Sequence, residues 1–294
     1  MERFYTLHNG NAAATVDFFG GELVQYRSAD GTERLWDGQP EIWGDWSPIL
    51  FPVVDYLKDN TITIAGKPYE MIPHGFARKS WFSVLRQEPQ RIELILRASE
   101  ETKAQYPFDF CLHVIHELLE DGFQTTYVVD NPNQSVLPFC IGGHPGFRCP
   151  MVAGTQFEAY ELVFPTAESG TIAQLEQGRY VRGLTVLPLR ENRILPLTRD
   201  LFQTHATLIF TDLQSRQVVL QHRDTGRGVR LQFSGFPVLG VWTYPDPRAT
   251  FLCLEPWHGL PAWTDETGRM EDKPHLISLE SGSSFSLAYS AHFF

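Results

Sequence analysis

Apolar and polar residues alternate with a period of two along much of this chain. Residues 91–98 place Ile92, Leu94, Leu96 and Ala98 on one face, and similar alternation recurs at 123–129, 229–233 and 285–289. Successive side chains of a strand point to opposite faces, so this pattern predicts half-buried β-strands.

Turn-forming residues separate these runs, at Asp30-Gly31, Asn131-Pro132-Asn133 and Ser281-Gly282. Such turns favour antiparallel connections over helical crossovers. The best helical candidate is the short segment 99–104, where Ser99 can cap the first N–H groups and Pro107 ends the run. The pattern therefore predicts an all-β fold with very little helix.

The strand signals extend from Thr15 to Phe294 without a flexible linker. We therefore expect residues 1–294 to form a single domain, a large antiparallel β-sandwich in which two sheets pack face to face. A functional site on such a scaffold is expected on the concave face of one sheet, with loops around it.

Composition narrows the classes of function. The chain has 24 Lys and Arg against 35 Asp and Glu, a formal net charge of −11, which argues against nucleic-acid and anionic-membrane partners. The first residues contain no basic segment leading into an apolar run, so we expect a soluble, cytoplasmic protein. The four cysteines show no metal-ligand spacing and are expected to be buried free thiols: Cys111, Cys140, Cys149 and Cys253.

Three segments carry candidate chemistry. The segment 73–78 reads Pro-His-Gly-Phe-Ala-Arg and places His74 four residues before Arg78. The segment 142–147 reads Gly-Gly-His-Pro-Gly-Phe, and its glycines are expected to let the backbone approach a ligand while the proline fixes His144. Each histidine has a structural alternative as a hydrogen-bonded core residue, and Arg78 has one as a surface charge.

The third segment, 251–259, contains Glu255 at the end of an apolar strand and Trp257 two residues later. Burial of a carboxylate without a partner is costly, so either a cation pairs with Glu255 or its pKa is raised for proton transfer. Trp257 is either a core residue or a flat apolar wall for a sugar ring.

Together these segments resemble the aldose 1-epimerase (galactose mutarotase) superfamily, and more closely its bacterial LacX-type subgroup. That subgroup has H-G-F-A-R, then G-G-H-P-x-F, then C-x-E-P-W, with D-L-F between the last two. All four patterns occur here in that order, the D-L-F at Asp200-Leu201-Phe202. The resemblance extends over nearly the whole chain.

The resemblance implies a galactose mutarotase-like β-sandwich with no metal ion or other cofactor in the site, and a small sugar as the binding partner. It implies that Glu255 is the general base and His144 the general acid. It further implies that His74, Arg78 and Asp200 bind the sugar. Two departures affect the substrate more than the chemistry: galactose mutarotases have their second histidine in an N-x-x-x-H context, and Arg148 follows Phe147 where LacX-type relatives often have a shorter polar residue.

Residue chemistry alone is consistent with anomer exchange. Ring opening of an aldose removes a proton from O1 and delivers one to O5, which a carboxylate and an imidazolium can do near neutral pH. The expected activity is that of an isomerase interconverting the α and β anomers of a free aldose. Galactose, glucose and less common sugars stay open as substrates, as do a monomeric and a homodimeric state.

Several alternatives stay open at this point. Arg78, Lys79 and Arg148 could form a phosphate site, which would make the protein a hexose-6-phosphate 1-epimerase. The same pocket could also bind or sense a sugar without catalysis.

Other enzyme classes fit the sequence less well. A metal site of His74, His144 and Glu255 has suitable ligand types but no local metal motif. A serine or cysteine hydrolase lacks a G-x-S-x-G motif. A glycosidase would pair Asp200 with Glu255, although histidines at the centre argue against it.

Overall fold

The computed structural model describes residues 2–294. Its strands are β1 Phe4–His8, β2 Ala13–Asp17, β3 Leu23–Arg27, β4 Ile49–Leu50, β5 Thr61–Ile64, β6 Lys67–Glu70, β7 Ser83–Glu88, β8 Arg91–Arg97, β9 Cys111–Leu118, β10 Gly122–Asp130, β11 Leu137–Phe139 and β12 Ile141–Gly143. They continue with β13 Gly146–Arg148, β14 Tyr160–Val163, β15 Thr171–Glu176, β16 Tyr180–Val186, β17 Ile194–Pro196, β18 Thr207–Phe210, β19 Gln217–His222, β20 Gly228–Gln232, β21 Val238–Trp242, β22 Phe251–His258, β23 Ile277–Leu279 and β24 Ser284–Phe293.

Two large antiparallel sheets dominate the fold. The first has nine strands in the order β17-β14-β19-β20-β24-β10-β9-β8-β7. The second has eight strands in the order β16-β15-β18-β21-β22-β12-β4, with β13 paired to β22. Three smaller sheets are formed by β1-β2-β3, β5-β6 and β11-β23. The expected all-β class and antiparallel sheets are confirmed.

The main core contains side chains from both large sheets. In the nine-stranded sheet, β10 buries Phe123, Thr125, Tyr127 and Val129 while the residues between them are partly exposed, as the alternation predicts. One hydrophobic cluster joins such residues to side chains of the eight-stranded sheet, including Leu252 and Leu254 of β22.

The opposite face of the eight-stranded sheet carries polar and aromatic residues. Because β22 alternates, Leu252 and Leu254 point into the main core while Glu255 and Trp257 point to the other face. Loops from other parts of the chain surround this face and form the candidate site.

Helices are few and short. The helix α1, Glu100–Lys103, is capped by Ser99, whose hydroxyl accepts a hydrogen bond from the backbone N–H of Thr102, so the helical prediction is confirmed. A second helix, α2 Arg199–His205, includes the D-L-F segment and had no clear signal in the sequence. Four 3₁₀ turns occur at 58–60, 77–79, 157–159 and 270–272.

Across residues 2–294, no helix combines the length and apolarity needed to span a bilayer.

Candidate active site

A cavity of about 360 Å³ lies on the face of the eight-stranded sheet that points away from the main core. Its volume falls within the range of small-molecule sites, roughly 300–1,000 Å³. Five of the six residues predicted to form the site line it: His74, Arg78, His144, Glu255 and Trp257. The structure thus brings together three segments that are far apart in the sequence.

Glu255 is the most deeply buried polar residue of the cavity, with 1% of its surface exposed. Burial raises the pKa of its carboxyl group well above the usual value, and the nearby Asp55 raises it further. The residue paired with it on β21 is Gly240, where an added Cβ would lie only 2.9 Å from the Trp257 indole. Because Gly240 has no side chain, the indole ring of Trp257 fits beside Glu255.

His144 lies in the connection between β12 and β13, with 7% of its surface exposed. The rings of Trp43 and Trp242 flank it, with centroids 5.2 and 5.5 Å from the imidazole. This burial lowers the pKa of His144 to about 3. The free imidazole is therefore neutral at ordinary pH.

The two predicted catalytic groups are in direct contact. The imidazole Nε2 of His144 lies 3.1 Å from Oε2 of Glu255. The two groups are not aligned for a hydrogen bond, and neither carboxyl oxygen of Glu255 has a hydrogen-bond partner within residues 2–294. Since burial favours the neutral form of both groups, the pair holds its proton on Glu255 when no ligand is bound.

The glycines around His144 serve protein packing, which corrects the expectation that they admit a ligand. An added Cβ at Gly142 would lie 2.9 Å from the ring of Trp257, and one at Gly143 would lie 2.7 Å from Tyr289. These positions lack side chains because aromatic rings of the protein fill the space.

His74 is held by two hydrogen bonds with the backbone of Asp55, one through its ring and one through its own N–H. The N–H of Asp55 donates to Nδ1 of His74 over 3.1 Å, and the N–H of His74 donates to the carbonyl oxygen of Asp55 over 3.1 Å. Because Nδ1 accepts, a neutral His74 carries its proton on Nε2. Burial, with His144 and Arg78 nearby, lowers the pKa of His74 well below its usual value.

Arg78 lines the cavity and forms an ion pair with Asp45, which also binds Lys79 at 3.1 Å. Burial alone would raise the pKa of Asp45, but the two cations lower it overall. The guanidinium is therefore fixed at the cavity wall by a carboxylate that sequence reasoning did not identify.

Arg148 does not join Arg78 and Lys79, so the predicted phosphate cluster is not assembled. Its guanidinium lies 3.2 Å from Asp37, in a separate depression. The reason is strand pairing: the N–H of Arg148 donates to the carbonyl oxygen of Arg34, which brings the following residues, including Asp37, alongside it.

Asp200 is likewise absent from the cavity. It is an exposed residue of α2, whose last turn leads into Ala206 and Thr207 at the cavity wall. The sugar-binding role and the Asp200–Glu255 carboxylate pair therefore receive no support from the placement of Asp200.

Sequence reasoning missed several wall residues, mainly Trp43, Asp45, Asp55, Tyr56 and Trp242. A signal for Asp55 was present, since it follows an apolar run just as Glu255 does. The others stand in segments with no distinctive pattern.

The cluster with metal-ligand geometry differs from the one considered from sequence. Possible ligand atoms of His144, Cys253 and Glu255 lie within 4.8 Å of one another, and His74 is not among them. Burial raises the pKa of the Cys253 thiol well above its usual value, so the protonated form predominates. We assign no metal ion to this group.

Comparisons with known proteins identify relatives of this chain. The family model described as aldose 1-epimerase matches residues 3–291. The plasmid-encoded protein LacX of Lactococcus lactis subsp. lactis is 32% identical over 286 residues, covering 93% of this chain and 94% of LacX.

Two solved structures share the fold with a TM-score of 0.92. One is a galactose mutarotase related enzyme from Lactobacillus acidophilus, 28% identical, covering 99% of this chain and 97% of the other. The second is a galactose mutarotase-like protein from Lactobacillus casei, 27% identical, covering 99% and 100%.

Proposed function

The chain belongs to the aldose 1-epimerase family, and from this premise we propose that it interconverts the α and β anomers of a free aldose by proton transfer through Glu255 and His144. The observation that carries the proposal is the 3.1 Å contact between these two groups in the wall of a cavity of about 360 Å³. It is an isomerase reaction that needs no electron acceptor.

The contact suits the chemistry because O1 and O5 of a pyranose are both bonded to C1. An acid and a base that serve these two oxygens must be close neighbours, as His144 and Glu255 are. Loss of a proton from Glu255 and uptake of one at Nε2 of His144 convert the neutral pair into a carboxylate and an imidazolium. The carboxylate then removes the O1 proton while the imidazolium protonates O5, and the C1–O5 bond opens.

Rotation about the C1–C2 bond of the open chain presents the other face of the aldehyde to the C5 hydroxyl. The two proton transfers then run in reverse: His144 takes the proton from O5 as the ring closes, and Glu255 returns one to O1. The pair ends with its original proton count. Each positioned acid or base contributes about 10²–10⁴ in rate.

The remaining wall residues orient the sugar in this proposal. Arg78, fixed by Asp45, presents N–H donors to hydroxyl groups, and His74 presents its Nε2–H. Trp43, Trp242 and Trp257 supply apolar surfaces for the C–H faces of the ring and keep water from the proton-transfer pair.

Polarimetry from pure anomers tests the proposal. Freshly dissolved α-glucose, α-galactose and other anomerically pure aldoses are followed with and without protein. We expect at least one sugar to reach its equilibrium rotation faster in proportion to the protein concentration. Rates equal to the spontaneous ones for every sugar in the panel, by folded protein, would refute the proposal.

A further inference from the structure

Asp55 lies in the cavity wall with a buried carboxyl group. The proposed reaction assigns no role to this residue. It is 8% exposed, and its backbone adopts a left-handed conformation with φ of 59°. Its reciprocal contacts with His74 hold its main chain in place. A carboxyl group in a sparsely populated backbone conformation at a ligand cavity is a candidate for a functional role.

One carboxyl oxygen of Asp55 accepts a hydrogen bond within the protein, and the other is free to bind a ligand. Its Oδ1 accepts a hydrogen bond from the N–H of Tyr56 over 2.8 Å, which leaves Oδ2 for a ligand. Burial raises the pKa of Asp55 to about 7, against the opposing effects of the Tyr56 N–H and of Lys273. In either protonation state the group can bind a hydroxyl, as acceptor or as donor.

Few charges face the cavity near neutral pH. Three carboxyl groups line it, those of Asp45, Asp55 and Glu255. Burial raises the pKa of Glu255 well above its usual value and that of Asp55 to about 7, whereas the pKa of Asp45 is lowered, so Asp45 is the carboxyl group that stays ionised. The cation at the wall, Arg78, is paired with Asp45, and Lys79 pairs with the same carboxylate. His74 and His144 have lowered pKa values and add no positive charge near neutral pH.

Lys273 is near enough to Asp55 to lower the pKa of that carboxyl group, and its own ammonium group is buried and lies 3.4 Å from Glu266. It does not line the cavity. A hydroxyl group, which needs no cation to balance it, is therefore the ligand that suits the free Oδ2 of Asp55.

We infer that Asp55 is a substrate-binding residue whose carboxyl group forms a hydrogen bond with a sugar hydroxyl. This inference rests on the proposed function for the identity of the ligand as a sugar. It concerns binding, so it can be measured without catalysis.

The test uses sugar analogues that lack the anomeric hydroxyl and cannot open their ring. Binding of 1,5-anhydroglucitol and of 1,5-anhydrogalactitol is measured by calorimetry. The variants are Asp55→Asn, which keeps the shape, and Asp55→Gly, which suits the positive φ and removes both oxygens if the first variant does not fold. Asp59→Asn is the control, because Asp59 is exposed and has a similar φ of 53°.

The wild-type protein should bind at least one of these analogues. Substitution of Asp55 should weaken that binding by about tenfold, while Asp59→Asn leaves it unchanged. If wild type binds neither analogue, or if the folded Asp55 variants bind as tightly as wild type, the inference is overturned. If the analogues bind as expected but no aldose is epimerised, the proposed function fails and the role of Asp55 in binding stands.

Discussion

The imidazole of His144 and the carboxyl of Glu255 meet at 3.1 Å inside a cavity whose walls make both groups neutral. The neutral carboxyl group of Glu255 and the neutral imidazole of His144 together hold one proton that can be transferred to a substrate. Hydrogen bonds from a sugar to both groups would stabilise their charged forms, and the carboxylate–imidazolium arrangement of the pair then becomes accessible.

Glu255→Gln should abolish most of the catalysis and leave the fold intact. The carboxyl is uncharged in the free protein, so an amide of the same shape changes little of the packing. We expect the rate of enzyme-catalysed mutarotation to fall by at least about 100-fold, because the proton acceptor is lost. Polarimetry measures the rate, and Glu280→Gln, at an exposed position, is the control. Activity near the wild-type level in Glu255→Gln would contradict the assigned role.

His144→Asn should reduce the rate by a similar factor, about 10²–10⁴. Asparagine keeps a polar group between Trp43 and Trp242 but cannot accept and return a proton. His8→Asn, at an exposed histidine, should have no effect. A His144→Asn protein that retains most of its turnover would show that the acid is another group.

Arg78→Met should weaken catalysis through substrate binding. The guanidinium is held by Asp45 at the cavity wall, and removal of its hydrogen bonds to a sugar should lower kcat/KM by about tenfold or more. Saturation kinetics on the preferred aldose separate KM from kcat. Arg86→Met, on an exposed strand edge, serves as the control; an unchanged KM in Arg78→Met would place the sugar elsewhere.

Asp200→Asn should leave both kcat and KM within about twofold of wild type. Asp200 is exposed on α2 and does not line the cavity, and surface substitutions of this kind usually have small effects. Kinetics of the variant decide between this expectation and the substrate-binding role that the family resemblance implied. A tenfold rise in KM would restore that role.

We expect the ionisation of Glu22 to make the free energy of unfolding depend on pH. Its Oε2 accepts hydrogen bonds from the N–H groups of Trp46 and Ser47, and burial raises its pKa to about 7 from 4.5. The folded state thus holds this proton more tightly than the unfolded state. The stability it contributes is complete below about pH 4.5 and is lost as the pH rises through about 7.

Glu22→Gln removes this titration. Relative to wild type, the variant should gain roughly 2–3 kcal/mol in free energy of unfolding between about pH 5 and pH 8. Urea unfolding at several pH values measures the difference, with Glu280→Gln as the control. Parallel pH profiles for wild type and Glu22→Gln would show that Glu22 is ionised in the folded protein.

Much of the fold could be predicted from the sequence because the alternation of apolar and polar residues along a strand is a local pattern. The buried series Phe123, Thr125, Tyr127 and Val129 is visible from the hydrophobic pattern alone and matches β10. The short helix at Ser99 was equally visible from its capping residues. Helix α2 was not, because it has no strong cap or periodicity.

The site was only partly predictable because its walls depend on tertiary placement. Glu255 stood out as an acid at the end of an apolar strand, and the same logic would have identified Asp55. Whether Arg148 pairs with a phosphate or with Asp37 depends on the strand pairing of Arg34, which no local pattern encodes. The neutral state of the His144–Glu255 pair depends on burial by the rings of Trp43 and Trp242. These two residues come from different segments of the chain, so no local pattern reveals the burial.

Exchange NMR of an aldose at equilibrium tests the central claim most directly, because cross-peaks between the α and β anomeric protons report each ring opening and closure. With wild-type protein and a sugar identified by polarimetry, we predict exchange that grows with protein concentration, and exchange at the spontaneous rate with Glu255→Gln. Spontaneous-rate exchange with the folded wild type, or wild-type exchange with Glu255→Gln, would contradict the account.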